Sequence, residues 1–72
     1  MIIICAYTKE KVAEVTNKKE LSAFIMEECR KSGNLIDGGK SALYRVWERE
    51  DKVFLDCGDV FYCNAEQFKN LV

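Results

Sequence analysis

Apolar and polar positions alternate from Ala42 to Cys63, the pattern of strands with one buried face. Two breaks divide the stretch. Glu50-Asp51 separates Ala42–Arg49 from Lys52–Cys57, and Gly58-Asp59 separates the latter from Val60–Cys63. The spacing predicts three antiparallel strands. A fold at Glu50-Asp51 sets Arg45 opposite Asp56, Val46 opposite Leu55 and Trp47 opposite Phe54. Gly-Asp suits a two-residue type II′ hairpin, which sets Cys57 opposite Val60 and Leu55 opposite Tyr62. On these registers Ala42, Tyr44, Val46, Val53, Leu55, Cys57, Val60 and Tyr62 share an apolar face, with Glu48 at its rim. Leu43, Arg45, Trp47, Arg49, Phe54, Asp56, Phe61 and Cys63 share the other.

The rest of the chain supplies covers for this sheet. Asn17 followed by Glu20 is a capping-box pattern, and Leu21, Phe24, Ile25 and Cys29 form a helical stripe. Arg30 and Lys31 suit a last turn and Gly33 a C′ position, so the helix is expected over Lys18–Lys31. Glu28 falls within the apolar arc and is expected to reach water past the sheet edge. Ile2–Tyr7 is a β-branched run that suits a central strand. Val12–Val15 fits either a short return strand or a loop. Asn34–Ser41 reads as a loop centred on Gly38-Gly39. Asn64 with Gln67 can cap a short C-terminal helix bearing Phe68, Leu71 and Val72 on one side. Too short to persist alone, it must dock, and the second sheet face is one place for it. The fold class is α+β: one amphipathic helix packed on a mainly antiparallel sheet in β-α-β-β-β order, with a short C-terminal helix, residues 1–72 forming a single domain. Many unrelated small domains share that order, so it carries no function.

Composition narrows the function classes. The 72 residues are 49% hydrophobic and 32% charged, which is globular composition, and the net charge is −1. Near neutrality argues against a strong grip on nucleic acid or an anionic membrane. Met1–Ile4 lacks the positive n-region and cleavage site of a signal peptide, and the run is too short to span a bilayer. The expectation is a cytoplasmic chain with its four cysteines reduced.

Chemistry is sparse. There is no histidine, so no neutral-pH proton shuttle and no Cys-His pair; no catalytic residue is assigned. Glu27 and Glu28 diverge around a helix and cannot share a substrate. Gly39-Lys40-Ser41 resembles the tail of a phosphate loop, but Asn34 stands where the first glycine belongs and the order of elements is reversed. Zinc sites use close cysteine pairs, whereas Cys5, Cys29, Cys57 and Cys63 are widely spaced; no metal or cofactor is expected. Cys5, Cys29 and Cys57 read as core, and Cys63 as the accessible thiol.

What remains is the face carrying Arg45, Trp47, Arg49, Phe54 and Phe61, residue types enriched at interface hot spots. It points to a non-catalytic module binding another protein, in the manner of the small inhibitors by which viruses and mobile elements occlude a host protein, and possible as a homodimer. Sheet-borne aromatics with arginines also fit single-stranded nucleic-acid binding, against which stand the neutral charge and Asp56. A third reading is a redox or metal role for Cys63.

Overall fold

The computed structural model describes residues 1–33, 35–36, 41–42 and 44–72. The fold is α+β. Strands β1 (Ile2–Cys5), β2 (Lys11–Glu14), β5 (Arg45–Arg49), β6 (Lys52–Asp56) and β7 (Val60–Asn64) form one antiparallel sheet in the order β2-β1-β7-β6-β5. Val12 and its neighbours are thus a strand, and β1 is interior to the sheet. Helix α1 (Lys18–Lys31) follows β2, and α2 (Ala65–Lys69) follows β7. Between α1 and β5 a second, two-stranded sheet pairs β3 (Leu35–Ile36) with β4 (Ser41–Ala42). This replaces part of the loop expected over Asn34–Ser41, and the long strand expected from Ala42 begins instead at Arg45. The expectations for Asn34, Gly38-Gly39, Lys40, Leu43 and the Ala42 side chain lie outside the described residues.

Helix α1 starts and stops where its caps dictate. Asn17 accepts a hydrogen bond from the Glu20 amide at 2.8 Å, and the Glu20 carboxylate reaches back to the Thr16 hydroxyl at 2.6 Å and amide at 2.7 Å. At the other end Gly33 takes φ 75° and its amide reaches the Arg30 carbonyl. Leu21, Ile25 and Cys29 face a core of Ile3, Val15, Val53, Leu55, Cys57, Phe61, Cys63 and Ala65. Phe24 meets Phe61 edge to face, ring centroids 5.2 Å apart. Glu28 is largely covered, with its carboxylate 3.3 Å from Lys31 Nζ.

The two hairpins differ in outcome. Across Glu50-Asp51, Arg45 pairs Asp56, Val46 pairs Leu55 and Trp47 pairs Phe54, as the alternation predicts. Across Gly58, Asp56 pairs Val60, Leu55 pairs Phe61 and Phe54 pairs Tyr62, one residue off the predicted register. Two interactions lengthen this loop to Cys57-Gly58-Asp59. The Asp56 carboxylate accepts from the Gly58 amide at 3.3 Å, and Ser32 Oγ donates to the Cys57 carbonyl at 2.6 Å. A one-residue shift exchanges the faces of a strand. Phe61 and Cys63 therefore point into the core, while Val60 and Tyr62 point away from the helix.

Candidate functional site

A helix is ~10 Å wide and strands lie ~4.8 Å apart, so one helix covers only two or three of the five strands. Helix α2 does not cover the opposite face either. It packs on the same side as α1, with Ala65 buried in the core and Phe68 and Leu71 against it. Asn64 caps it by accepting from the Gln67 amide at 2.9 Å. Among the described residues no helix covers the face away from α1 and α2.

On that face the registers align one residue from every strand. Trp47 pairs Phe54, Phe54 pairs Tyr62, Tyr62 pairs Ile4 and Ile4 pairs Lys11. The result is a ridge running across the sheet at right angles to its strands. Trp47 stacks on Phe54 with centroids 5.5 Å apart and planes 7° apart. Phe54 meets Tyr62 at 5.6 Å with a 44° tilt. Trp47 is 39% exposed, the most open ring of the three.

Cations frame the ridge. Arg45 lies 6.0 Å from the Trp47 ring, and Lys9 and Lys52 lie 5.7 and 5.9 Å from the Tyr62 ring. Lys9, Arg49 and Lys52 surround a pocket of about 230 Å³ floored by Phe54 and Tyr62. A neighbouring apolar pocket of about 280 Å³ continues past Tyr62 to Ile2 and Ile4. Asp56 is paired with Arg45 at 3.3 Å, Glu14 with Lys11 at 3.0 Å and Asp51 with Lys52 at 3.3 Å. Among the described residues Lys9 and Arg49 make no ion pair, nor does Glu50, which also lines the pocket, so the pocket holds two unpaired cations beside one unpaired acid. A larger hollow of about 610 Å³ lies between Met1, Thr16, Asn70 and Val72 and has no aromatic lining.

The structure therefore brings together Arg45, Trp47, Arg49 and Phe54 and removes Phe61, which is 3% exposed in the core. Tyr62 takes the place expected for Phe61. The signal for it lay in its polar atom: Tyr62 and Asn64 can present a hydroxyl and an amide to water, whereas Phe61 and Cys63 cannot. Val46 and Tyr44 were expected to be covered, and both are 45% exposed, because α1 does not extend over β5.

The thiols are also sorted by the register. Cys63, expected to be accessible, is buried, and burial raises its pKa; its Sγ lies 3.8 Å from the Val53 carbonyl. Burial, then the adjacent Cys29 thiol, pushes Cys57 up to about 12, and burial also raises Cys29. Cys5 is the reverse case: the Thr8 amide, then the Thr8 hydroxyl and the Tyr7 amide, stabilise its thiolate and lower its pKa. No group of three or more metal-ligating acids or cysteines occurs among the described residues, nor is any described helix long and apolar enough to cross a membrane. No family model matches this chain, and no curated protein or solved structure does either.

Proposed function

We propose that this chain is a protein-binding module that acts through the open sheet face, with Arg45, Trp47, Arg49, Phe54 and Tyr62 as its contact residues. The observation that carries this reading is the ridge itself: contacting aromatics, with Trp47 exposed, inside a frame of arginine and lysine. Aromatic and arginine side chains are the usual anchors of protein interfaces. The complementary surface is apolar at its centre and acidic at its rim, since Lys9 and Arg49 make no ion pair among the described residues and outnumber Glu50, the acid that lines their pocket. A small chain presenting such a face works by occlusion, covering the site of a larger partner, as viral and mobile-element inhibitors of host proteins do.

Nucleic-acid binding is less well supported by the same geometry. A base stacks on an open ring face. Here Trp47 and Phe54 cover one another, Arg45 sits by Trp47, and lysines sit by Tyr62. The test is affinity capture from the native host, followed by titration of the captured protein in purified form with wild type, Trp47→Ala and Arg49→Glu. Loss of affinity in both folded variants, with steeper salt dependence for wild type than for Arg49→Glu, supports the reading. Unchanged affinity in both overturns it, and binding of single-stranded oligonucleotide with no protein captured transfers the face to the other class.

A further inference from the structure

Strand β5 ends the sheet, and every residue in it is exposed. The backbone groups it offers follow from hydrogen-bond parity, since antiparallel pairs alternate between bonded and non-bonded. The Ala65 amide donates to the Asp51 carbonyl at 2.8 Å, so Val53/Cys63 is a bonded pair and Phe54/Tyr62 is not. The Ala6 amide donating to the Val60 carbonyl at 2.9 Å gives the same parity from the β1 side. Phe54 therefore directs its N–H and C=O at Trp47. On β5, Arg45, Trp47 and Arg49 are bonded to β6, and Val46 and Glu48 turn their backbone groups to the free edge.

Charged residues alternate in sign along β5, so whether they oppose pairing depends on the register. The strand is regular and has no proline, whereas the opposite edge strand, β2, is interrupted by a register shift against Ile3/Ile4. We infer that β5 pairs antiparallel with β5 of a second copy of this chain about a two-fold axis at Val46, joining the two sheets edge to edge.

Charge selects that axis. Paired residues must share a face, so the axis passes through a residue position and not between two. An axis at Arg45 opposes Arg45 to its own copy, and an axis at Trp47 opposes Arg45 to Arg49. An axis at Glu48 or Arg49 opposes like charges directly. Facing like charges disfavour each of these. The axis at Val46 alone puts unlike partners together. Val46 meets Val46, each Arg45 guanidinium meets the opposite Trp47 ring, and each Tyr44 meets the opposite Glu48. It also covers Val46 and Tyr44, the two apolar side chains on the helix side that α1 leaves open. Edge pairing leaves the aromatic face uncovered and doubles its length, so this inference stands whether or not that face binds a protein.

The test is sedimentation equilibrium on the full chain from micromolar to millimolar concentration, with Val46→Pro and Val46→Lys. Proline removes an amide that the isolated chain does not use, and lysine sets two cations at the axis; both leave the monomer's core untouched. A wild-type dimer weakened at least tenfold in both variants, with circular dichroism unchanged, is the expected result. Under mild oxidation Val46→Cys is expected to cross-link as a dimer, because bonded partners place their Cα atoms ~5.5 Å apart, while Glu48→Cys is not. A wild type that stays monomeric, a dimer indifferent to both substitutions at Val46, or cross-linking at Glu48 in preference to Val46 overturns the proposal.

Discussion

Trp47 lies flat against Phe54 across β5 and β6, their planes 7° apart, yet both rings belong to the face that no helix covers. The contact is a surface one, which limits its weight in stability. An aromatic pair of this kind contributes ~0.5–1.5 kcal/mol beyond area burial. Trp47→Ala is expected to lower stability by that pair energy plus the burial of the covered part of the indole, and to leave circular dichroism unchanged, while removing partner binding. Urea titration of Trp47→Ala, Phe54→Ala and the double variant checks it, with a positive coupling term expected from the cycle.

Phe61 is the contrasting residue. It is buried, meets Phe24 at 5.2 Å, and sits beside Leu55 in the core. Phe61→Ala is expected to cost ~3–5 kcal/mol, comparable to the ~3–5 kcal/mol that a core of this size supplies in all. Loss of the cooperative thermal transition in Phe61→Ala, beside a retained transition in Trp47→Ala, distinguishes the observed register from its neighbour. A folded, stable Phe61→Ala protein contradicts the register.

Those two residues also show what the sequence could and could not convey. Lys18–Lys31 was legible end to end because its signals are local: Asn17, the Leu21–Ile25–Cys29 stripe and Gly33. The β5–β6 register was legible because a two-residue turn at Glu50-Asp51 and a four-residue loop over Arg49–Lys52 set the same pairs. The β6–β7 register was not, because Asp56 and Ser32 decide the loop, and Ser32 reaches Cys57 from another element. That shift placed Phe61 and Cys63 on the wrong face and hid Tyr62. The exposure of Val46 depends on which strands α1 crosses, and no pattern within β5 encodes that. Arg45, Trp47, Arg49 and Phe54 were placed correctly relative to one another since they lie within one hairpin, whose pairs are the same for a two-residue and a four-residue loop.

Glu50 turns that hairpin with φ 58°, a left-handed conformation unfavourable for a residue with a β-carbon. The conformation costs ~1–2 kcal/mol, and replacing glutamate by glycine adds back ~0.5–1 kcal/mol of unfolded-state freedom. Glu50→Gly is expected to gain up to about 1 kcal/mol, seen as a rise of ~4–8 °C in Tm per kcal/mol for a domain this small. Glu50→Val is expected to lower Tm. Equal midpoints for the two variants would contradict the strained turn.

The thiols provide a readout that needs no partner. Cys5 combines partial exposure with a lowered pKa, and the other three are buried with raised pKa values. Brief alkylation of the native protein near neutral pH is expected to modify Cys5 first, with Cys29, Cys57 and Cys63 reacting only after unfolding. Peptide mass spectrometry after timed quenching shows the order. Early labelling of Cys63 would place it on the outer face and reverse the β7 assignment.

Acid stability depends on Glu20. The Thr16 hydroxyl, then the Thr16 amide, holds the Glu20 carboxyl below its ordinary pKa. A depressed folded-state pKa means that the unfolded chain binds the proton more readily. The stabilisation is therefore complete above the unfolded value of ~4.3 and is lost as pH falls through the lower folded value. Glu14 and Glu27 are lowered as well, chiefly by hydrogen bonds from Lys11 and Arg30. Those two are surface ion pairs and weaken in salt, whereas Glu20 bonds to neutral donors and does not. Glu20→Gln keeps an oxygen for Thr16 but cannot titrate. Its Tm is expected to fall less steeply than that of wild type between about pH 5 and pH 2, with the difference persisting in high salt. Parallel acid limbs for the two proteins would show that the Thr16–Glu20 bonds contribute nothing to holding α1 at its first turn.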